Sequence, residues 1–588
     1  MSCPSPWWNT HVNASGDAQN VTIGPARPRP PAAQAVAGHS RRVLAVGAWL
    51  LGALAAYLVY LRLAETRAVN SDGAAQALQA WDMLHGNPLL RGWTTSDVSF
   101  YTTELPQYML VELARGLGED TVHIAAAMTY TLVILLAALV AKGTATGREA
   151  VVRVALTAGI MLAPQLGSGT NVLLSSPDHI GTSVPLLAAW LVLDRARPCW
   201  HTPVIVSSML AVALVADSIT AVAGVIPLVL VCAFRVVCAF LVGGPFLARI
   251  SARRWYEIAL GGGAIVAVGA AQAAGQLIRA LGGYTVRPLG AQVAPLGEIV
   301  WHNLPIAARC LLLLPGADFL GLPAGQATFF VALHLAGAWL AAAGIALAAW
   351  QLFAGSRLFA GSRPRGDRDQ AGHSAGDSAG GMLSQVLLAC IAVNVLAFVI
   401  TTRAYAVSSA REIAPVLPFA AALAGRQLAR RVPGTPLARR MALPALGVVL
   451  VGYLAGLGLE LTTQAVAPQA AELTSWLESN HLGTGLSGYW EASVVSLTSG
   501  NRAAVRPVTV SGGRVVPATN QVKALWYDKE RSTADFVVLF PGVAGYPGFT
   551  QRRAVLATFG NPARTYHVGQ YTVLYWRKNL LSDLAGNR

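Results

Sequence analysis

Apolar runs long enough to cross a bilayer recur between residues 43 and 462, interrupted by short polar loops. About 18 consecutive apolar residues is the signature of a transmembrane helix, so this pattern commits most of the chain to the membrane. Composition agrees: 54% of residues are hydrophobic and 12% charged, against roughly a quarter charged in soluble domains. The mean hydropathy is +0.50. A net charge of +15 would suit nucleic acid, but Lys and Arg cluster between alternate apolar runs, as membrane topology requires. Neither zinc-finger spacing nor a basic helix supports a nucleic-acid partner. The six cysteines are scattered in or beside apolar runs and form no disulfide or metal pattern.

Residues 1–42 are rich in Pro, Ala and Ser and read as a disordered cytoplasmic tail, too long and polar for a signal n-region. Arg41-Arg42 then place the start of the first span, 43–62, in the cytoplasm. Further spans are expected at about 121–141, 151–166, 180–194, 203–217, 219–240, 257–277, 326–353, 382–401, 412–428 and 442–462. With these eleven, every strongly basic loop falls on the cytoplasmic side, including the polar linker 354–381. The first outer loop, 64–120, and the C-terminal residues 463–588 fall outside. A segment of the outer stretch 279–325, GEIVWHNLPIAARCLLLLPGADF, is amphipathic and suited to lying along the bilayer. Residues 463–588 differ in kind. WLESNHLGTGLSGYW predicts a helix ended by Gly483 or Gly485, and ADFVVLF and YTVLYW alternate as strands do. The expectation is a polytopic α-helical plasma-membrane protein, 43–462, with a small extracytoplasmic α/β domain.

Polar chemistry collects at the outer ends. In the first outer loop, Asn70-Ser71-Asp72 opens a helical pattern that stops at Gly86-Asn87-Pro88. Ala74, Ala77, Leu78, Trp81 and Leu84 share one face and Asp72, Gln76 and Gln79 the other, predicting a surface helix with Asp72 at its tip. Two roles stand open for Asp72: helix cap and dipole partner, or catalytic base. Asp97, Tyr101 and Glu104 follow, suited either to a solvated loop or to the lining of a polar cavity. The second outer loop carries Ser175-Ser176-Pro177-Asp178-His179. Its Ser-Pro-Asp order is an ordinary helix start, while His179 could bind phosphate or a sugar hydroxyl. Arg403, Arg411 and Glu412 lie in an outer turn against the positive-inside trend. A guanidinium there suits phosphate or carboxylate, or pairing with Glu412. Walker, Gly-x-Ser-x-Gly and His-Glu-x-x-His motifs are absent, and few ionisable groups fall mid-span.

An early acidic residue in an outer first loop, many spans and an outer C-terminal domain together resemble the C-type (GT-C) integral-membrane glycosyltransferases. These include the protein mannosyltransferases and lipid-A aminoarabinose transferases. The Ala- and Arg-rich composition suggests a high-GC bacterium of actinobacterial type. The resemblance implies a polyprenyl-phosphate-linked sugar as donor and a cell-envelope acceptor (lipid, glycan or protein). It places the general base, or a holder of a divalent metal such as Mg or Mn, at Asp72. Many members have Asp-Glu there, whereas this chain has Asp72-Gly73. The loop TNVLLSSPDHIGTS and the turn TTRAYAVSSAREIAPVLP look like the outer ends that line the family's lipid-phosphate site. On this reading Arg403 or Arg411, with His179, neutralises the leaving phosphate, and Asp72 deprotonates the acceptor with inversion. Asp97 or Glu104 would join Asp72 around a metal. The alternatives are a transporter or flippase of lipid-linked glycans, which midspan charges and paired repeats would favour, and a non-catalytic assembly partner of the same fold.

Overall fold

The computed structural model describes residues 32–162, 169–243, 252–320, 322, 324–360, 374–431, 436–468, 470–543 and 546–584. Most of the expected N-terminal tail (1–31) and the middle of the expected linker (361–373) lie outside the described residues. The chain divides into two compact units, Met1–Ala56 and Tyr57–Arg588. Of the first, the structure describes the opening part of the helix Ala32–Ala64.

Among the described residues seven helices are long and apolar enough to cross a membrane: Val46–Ala64, Glu119–Lys142, Ala221–Ala239, Arg254–Ala280, Thr328–Ala354, Gly381–Ile400 and Pro444–Leu461. Four other expected spans form shorter helices, Gly147–Ile160, Ser183–Arg195, His201–Ala216 and Val416–Leu428. At about 1.5 Å per residue all four, of 14, 13, 16 and 13 residues, fall short of a hydrocarbon core of about 30 Å. The chain is a multi-pass membrane protein. Arg426 makes a buried pair with Asp194 (2.9 and 3.2 Å) and donates to the Val140 carbonyl, locking three helix C-terminal ends together. The amphipathic piece forms a helical stretch, Leu296–Leu313 with a π-helical turn inside it, that exposes Leu296, Val300, Trp301 and Leu304.

The strands are β1 (Trp93–Thr95), β2 (Thr285–Val286), β3 (Thr484–Gly488), β4 (Ala504–Ser511), β5 (Arg514–Pro517), β6 (Val522–Lys523), β7 (Phe536–Val543), β8 (Tyr546–Phe549), β9 (Arg564–Val568) and β10 (Tyr571–Tyr575). A mixed seven-stranded sheet runs β5-β4-β3-β7-β10-β9, with β8 on β7. Strand β3 is parallel to β4 and β7; the other pairs are antiparallel. The helix Tyr489–Thr498 makes the crossover from β3 to β4 that a parallel pair requires. The preceding helix ends earlier than expected, at Ser479, where His481 takes φ 58°. Gly485 lies instead in β3, where a Cβ would collide with the ring of Phe536.

The first-loop helix, Ser71–Leu84, does not have the open polar face expected of it. It is buried among the helices Glu104–Arg115, Glu119–Lys142 and Tyr489–Thr498. Gln76 and Gln79 are buried like the apolar face, and the Gln79 amide donates to Gln521 Oε1 at 2.5 Å. Their polarity marks a face covered by the C-terminal domain. Strand β1, paired with β2 and β6, makes a second join between the first loop and that domain.

Candidate functional site

Asn70, extended at φ −93° and ψ 164°, is the residue that caps the first-loop helix, its side chain accepting from the Gly73 N–H at 2.8 Å. That satisfies an orphan donor of the first turn and leaves the Asp72 carboxylate to point elsewhere. Its Oδ1 accepts from the phenol of Tyr489 and its Oδ2 from Arg411 Nη1 at 3.0 Å. Capping of its own helix is therefore not what this side chain does.

Arg411 comes from the 3₁₀ turn Val407–Ile413, between the helices ending at Ile400 and starting at Val416. The same guanidinium nitrogen lies 3.5 Å from Asp178 Oδ2. Asp178 sits at φ 35°, a conformation that costs an L-residue energy and that functional sites tend to keep. The Ser-Pro-Asp sequence does begin a helical turn, Asp178–Gly181, without a side-chain cap. His179 Nδ1 meets Asp217 Oδ2 at 2.9 Å, and its Nε2 lies 3.9 Å from both Asp178 and Glu412. Glu412 reaches Arg403 at 3.4 Å, and Arg403 donates to Asp97. One network thus runs Tyr489, Asp72, Arg411, Asp178, His179, Glu412, Arg403 and Asp97.

The network has a floor and an open side. Asp217 is fully buried; it accepts from Thr182 at 2.5 Å and from the Ile219 N–H at 2.9 Å. Burial alone would push the His179 imidazole down, but Asp217, Asp178 and Glu412 outweigh it and bring its pKa up to about 10. His179 is therefore a cation at neutral pH, and Asp217, although burial opposes its charge, is held below the usual carboxylate range by that cation and its hydrogen bonds. Arg411 keeps 31% of its side chain exposed, and Arg403 and Asp97 24% each. A cavity of about 490 Å³ adjoins this side, lined by Asp97, Ser99, Gln272, Gln276, Arg279 and Tyr284 among others. The loop carrying Asp97 is fixed by the N–H groups of Ser99 and Phe100, both donating to the Ala216 carbonyl at 2.9 Å.

Asp72, Asp97, Asp178, His179, Arg403, Arg411 and Glu412, drawn from four stretches of sequence, stand together. Glu104 and Tyr101 do not join their hydrogen-bonded chain. Glu104 is buried behind it with Oε1 unpartnered, and burial pushes its carboxyl up to about 8, so it is protonated at neutral pH. It lies against Gly181, where a Cβ would strike the carboxyl group. Tyr101 donates to the Pro88 carbonyl at 2.9 Å and packs beside Tyr284, a wall of the cavity. Of the residues expected around a metal, Asp72 with Asp97 or Glu104, the first two are arginine-paired and Glu104 is protonated. Among the described residues no three His, Cys, Asp or Glu are grouped to hold a metal ion. Sequence reasoning missed Tyr489, Thr182 and Asp217. Of these Asp217 left a signal, a carboxylate isolated between two apolar runs.

No protein-family model matches the chain, and no curated protein is significantly similar to it. Solved structures are similar. The crystal structure of ArnT from Cupriavidus metallidurans in the apo state superposes with a TM-score of 0.50 at 14% identity, over 92% of this chain and 99% of that one. ArnT from the same organism bound to undecaprenyl phosphate gives 0.50 at 13% identity, over 90% and 97%. ArnT is a C-type glycosyltransferase, and the likeness extends through the helical part and the C-terminal domain. This chain has the C-type glycosyltransferase fold.

Proposed function

We propose that the protein transfers a sugar from a polyprenyl-phosphate donor to a cell-envelope acceptor at the outer face of the plasma membrane. The observation that carries this reading is the Asp72–Arg411 pair, a carboxylate and an anion-binding cation joined at the loop end of the helices. The structural neighbour bound to undecaprenyl phosphate supports the lipid class.

The donor's isoprenoid tail stays in hydrocarbon while its phosphate enters from the cavity beside Asp97 and Arg279. The phosphate takes Arg411, with Arg403 and protonated His179 adding positive charge. Asp72 Oδ2 loses its partner in this exchange and becomes free to accept a proton. The acceptor hydroxyl attacks the anomeric carbon as its proton passes to Asp72. The bond from that carbon to the phosphate oxygen breaks with inversion, and the charge left on the phosphate is held by the arginines.

Asp72→Asn in nanodiscs, assayed with undecaprenyl-phosphate sugars, is expected to lose about 10²–10⁴ in transfer rate while remaining folded. Transfer at the wild-type rate would remove Asp72 as the base. One observation favours a second reading: both oxygens of Asp72 are engaged, as in a purely structural clip of a non-catalytic assembly partner. Under that reading the wild-type protein transfers nothing and the substitution lowers its stability.

A further inference from the structure

Tyr489 is the point at which the C-terminal domain enters the site. It is the first residue of the helix Tyr489–Thr498, immediately after β3. Its backbone carbonyl accepts from Ser71 Oγ at 2.6 Å, and its phenol donates to Asp72 Oδ1. The two bonds grip consecutive residues of the first-loop helix from one side. Close packing fixes the approach, since a Cβ at Gly488 would stand 2.6 Å from Phe549 Cβ. Burial and the Asp72 charge push the Tyr489 phenol well above its ordinary value, so it acts as a donor and not as a base.

The two oxygens of Asp72 are therefore held differently. Oδ2 faces a guanidinium that an incoming anion can take. Oδ1 faces a neutral donor built into another domain, which no anion displaces. We propose that Tyr489 is a positioning residue: it keeps Asp72 in place while Arg411 is drawn away by phosphate. The C-terminal domain thereby completes the reactive centre. This inference rests on Asp72 and Arg411 serving as the proposed function requires.

The test separates donor binding from turnover in the full-length protein in nanodiscs at pH 7, with the Kd of undecaprenyl phosphate measured beside the kcat of transfer from undecaprenyl-phosphate sugars. Tyr489→Phe is expected to lower kcat about tenfold or more, the typical effect of one hydrogen bond to a charged group, with the Kd unchanged. Ser71→Ala, which removes a docking contact and leaves the carboxylate alone, should keep the wild-type kcat. A Tyr489→Phe variant with the wild-type kcat overturns the assignment of Tyr489, as does an equal loss in Ser71→Ala, which would assign the effect to domain docking. Transfer by Asp72→Asn at the wild-type rate, or the absence of any binding or transfer by wild type, overturns instead the proposed function beneath it.

Discussion

His179→Gln is the perturbation whose consequence follows most directly from the geometry. The imidazole is 8% exposed, at 2.9 Å from a fully buried Asp217. Its pKa rises from 6.5 in the unfolded chain to about 10 in the fold. At roughly 1.4 kcal/mol per pH unit this corresponds to stabilisation on the order of 5 kcal/mol. The folded pKa is the higher one, so the contribution is complete below about pH 6.5 and is lost as pH rises through about 10. Glutamine keeps a hydrogen-bond donor toward Asp217 but supplies no charge. The variant should be several kcal/mol less stable than wild type at pH 6, and the gap should close steadily toward pH 10. Breaking a buried pair from one side typically costs about 3–5 kcal/mol, which agrees in size.

Unfolding can be followed through the buried cysteines Cys232, Cys310 and Cys390. They become reactive to a thiol-directed fluorophore as the helices separate, in detergent at a series of pH values. Other groups titrating near pH 10 are shared by the two proteins and cancel in the difference. A gap between wild type and variant that stays constant from pH 6 to 10 would refute the claim that His179 is a buried cation held by its carboxylates.

Three further outcomes are expected. Arg411→Ala should weaken undecaprenyl phosphate binding more than Arg403→Ala, because Arg411 bridges Asp72 and Asp178; isothermal titration in nanodiscs measures both, and wild-type affinity in each would place the phosphate elsewhere. Gly181→Ala should drive a methyl group into Glu104 and shift the Asp178–His179 turn, costing about 1–3 kcal/mol together with phosphate affinity, measured by thermal unfolding and the same titration. For Glu104, whose folded pKa of about 8 exceeds that of an unfolded carboxyl, stability is complete below about pH 4.5 and falls as pH rises through 8. Glu104→Gln should remove that fall and gain on wild type across this interval; parallel unfolding curves would show that the carboxyl is not held neutral.

Local pattern went far toward this site. The expectation of a helix starting near Asp72 and stopping before Gly86 matches the helix Ser71–Leu84. Arg403 and Arg411 stand out in the sequence because they break the positive-inside trend, and His179 because it lies beside the helix start at Asp178 on the outer side. Contacts that depend on packing were hidden. Tyr489 lies 417 positions from Asp72, and an aromatic residue after a glycine has no periodicity that ties it to another domain. The buried glutamines of the first-loop helix show the same limit from the other side. Gln76 and Gln79 have the wheel position of a solvated face, and only the arrival of the C-terminal domain makes that face an interface. Glu104 suits a solvated loop or a polar cavity equally by its polar sequence neighbours, while its burial against Gly181 is set by a turn far away in the chain.

The charges of the network constrain how it can work. Five carboxylates, Asp72, Asp97, Asp178, Asp217 and Glu412, surround three cations, Arg403, Arg411 and protonated His179. An added phosphate therefore meets a cluster that is already net negative and binds by displacing a carboxylate from an arginine. Asp217 cannot yield, being fully buried on His179 and Thr182. Asp178 and Glu412 each face more than one cation. Asp97 and Asp72 each have a single cationic partner and are partly exposed, and of the two only Asp72 retains a neutral donor after its arginine leaves. On the proposed function, the carboxylate that anion binding would uncover is thus the one already held in position to accept a proton, so that donor binding and activation of the base would be one event.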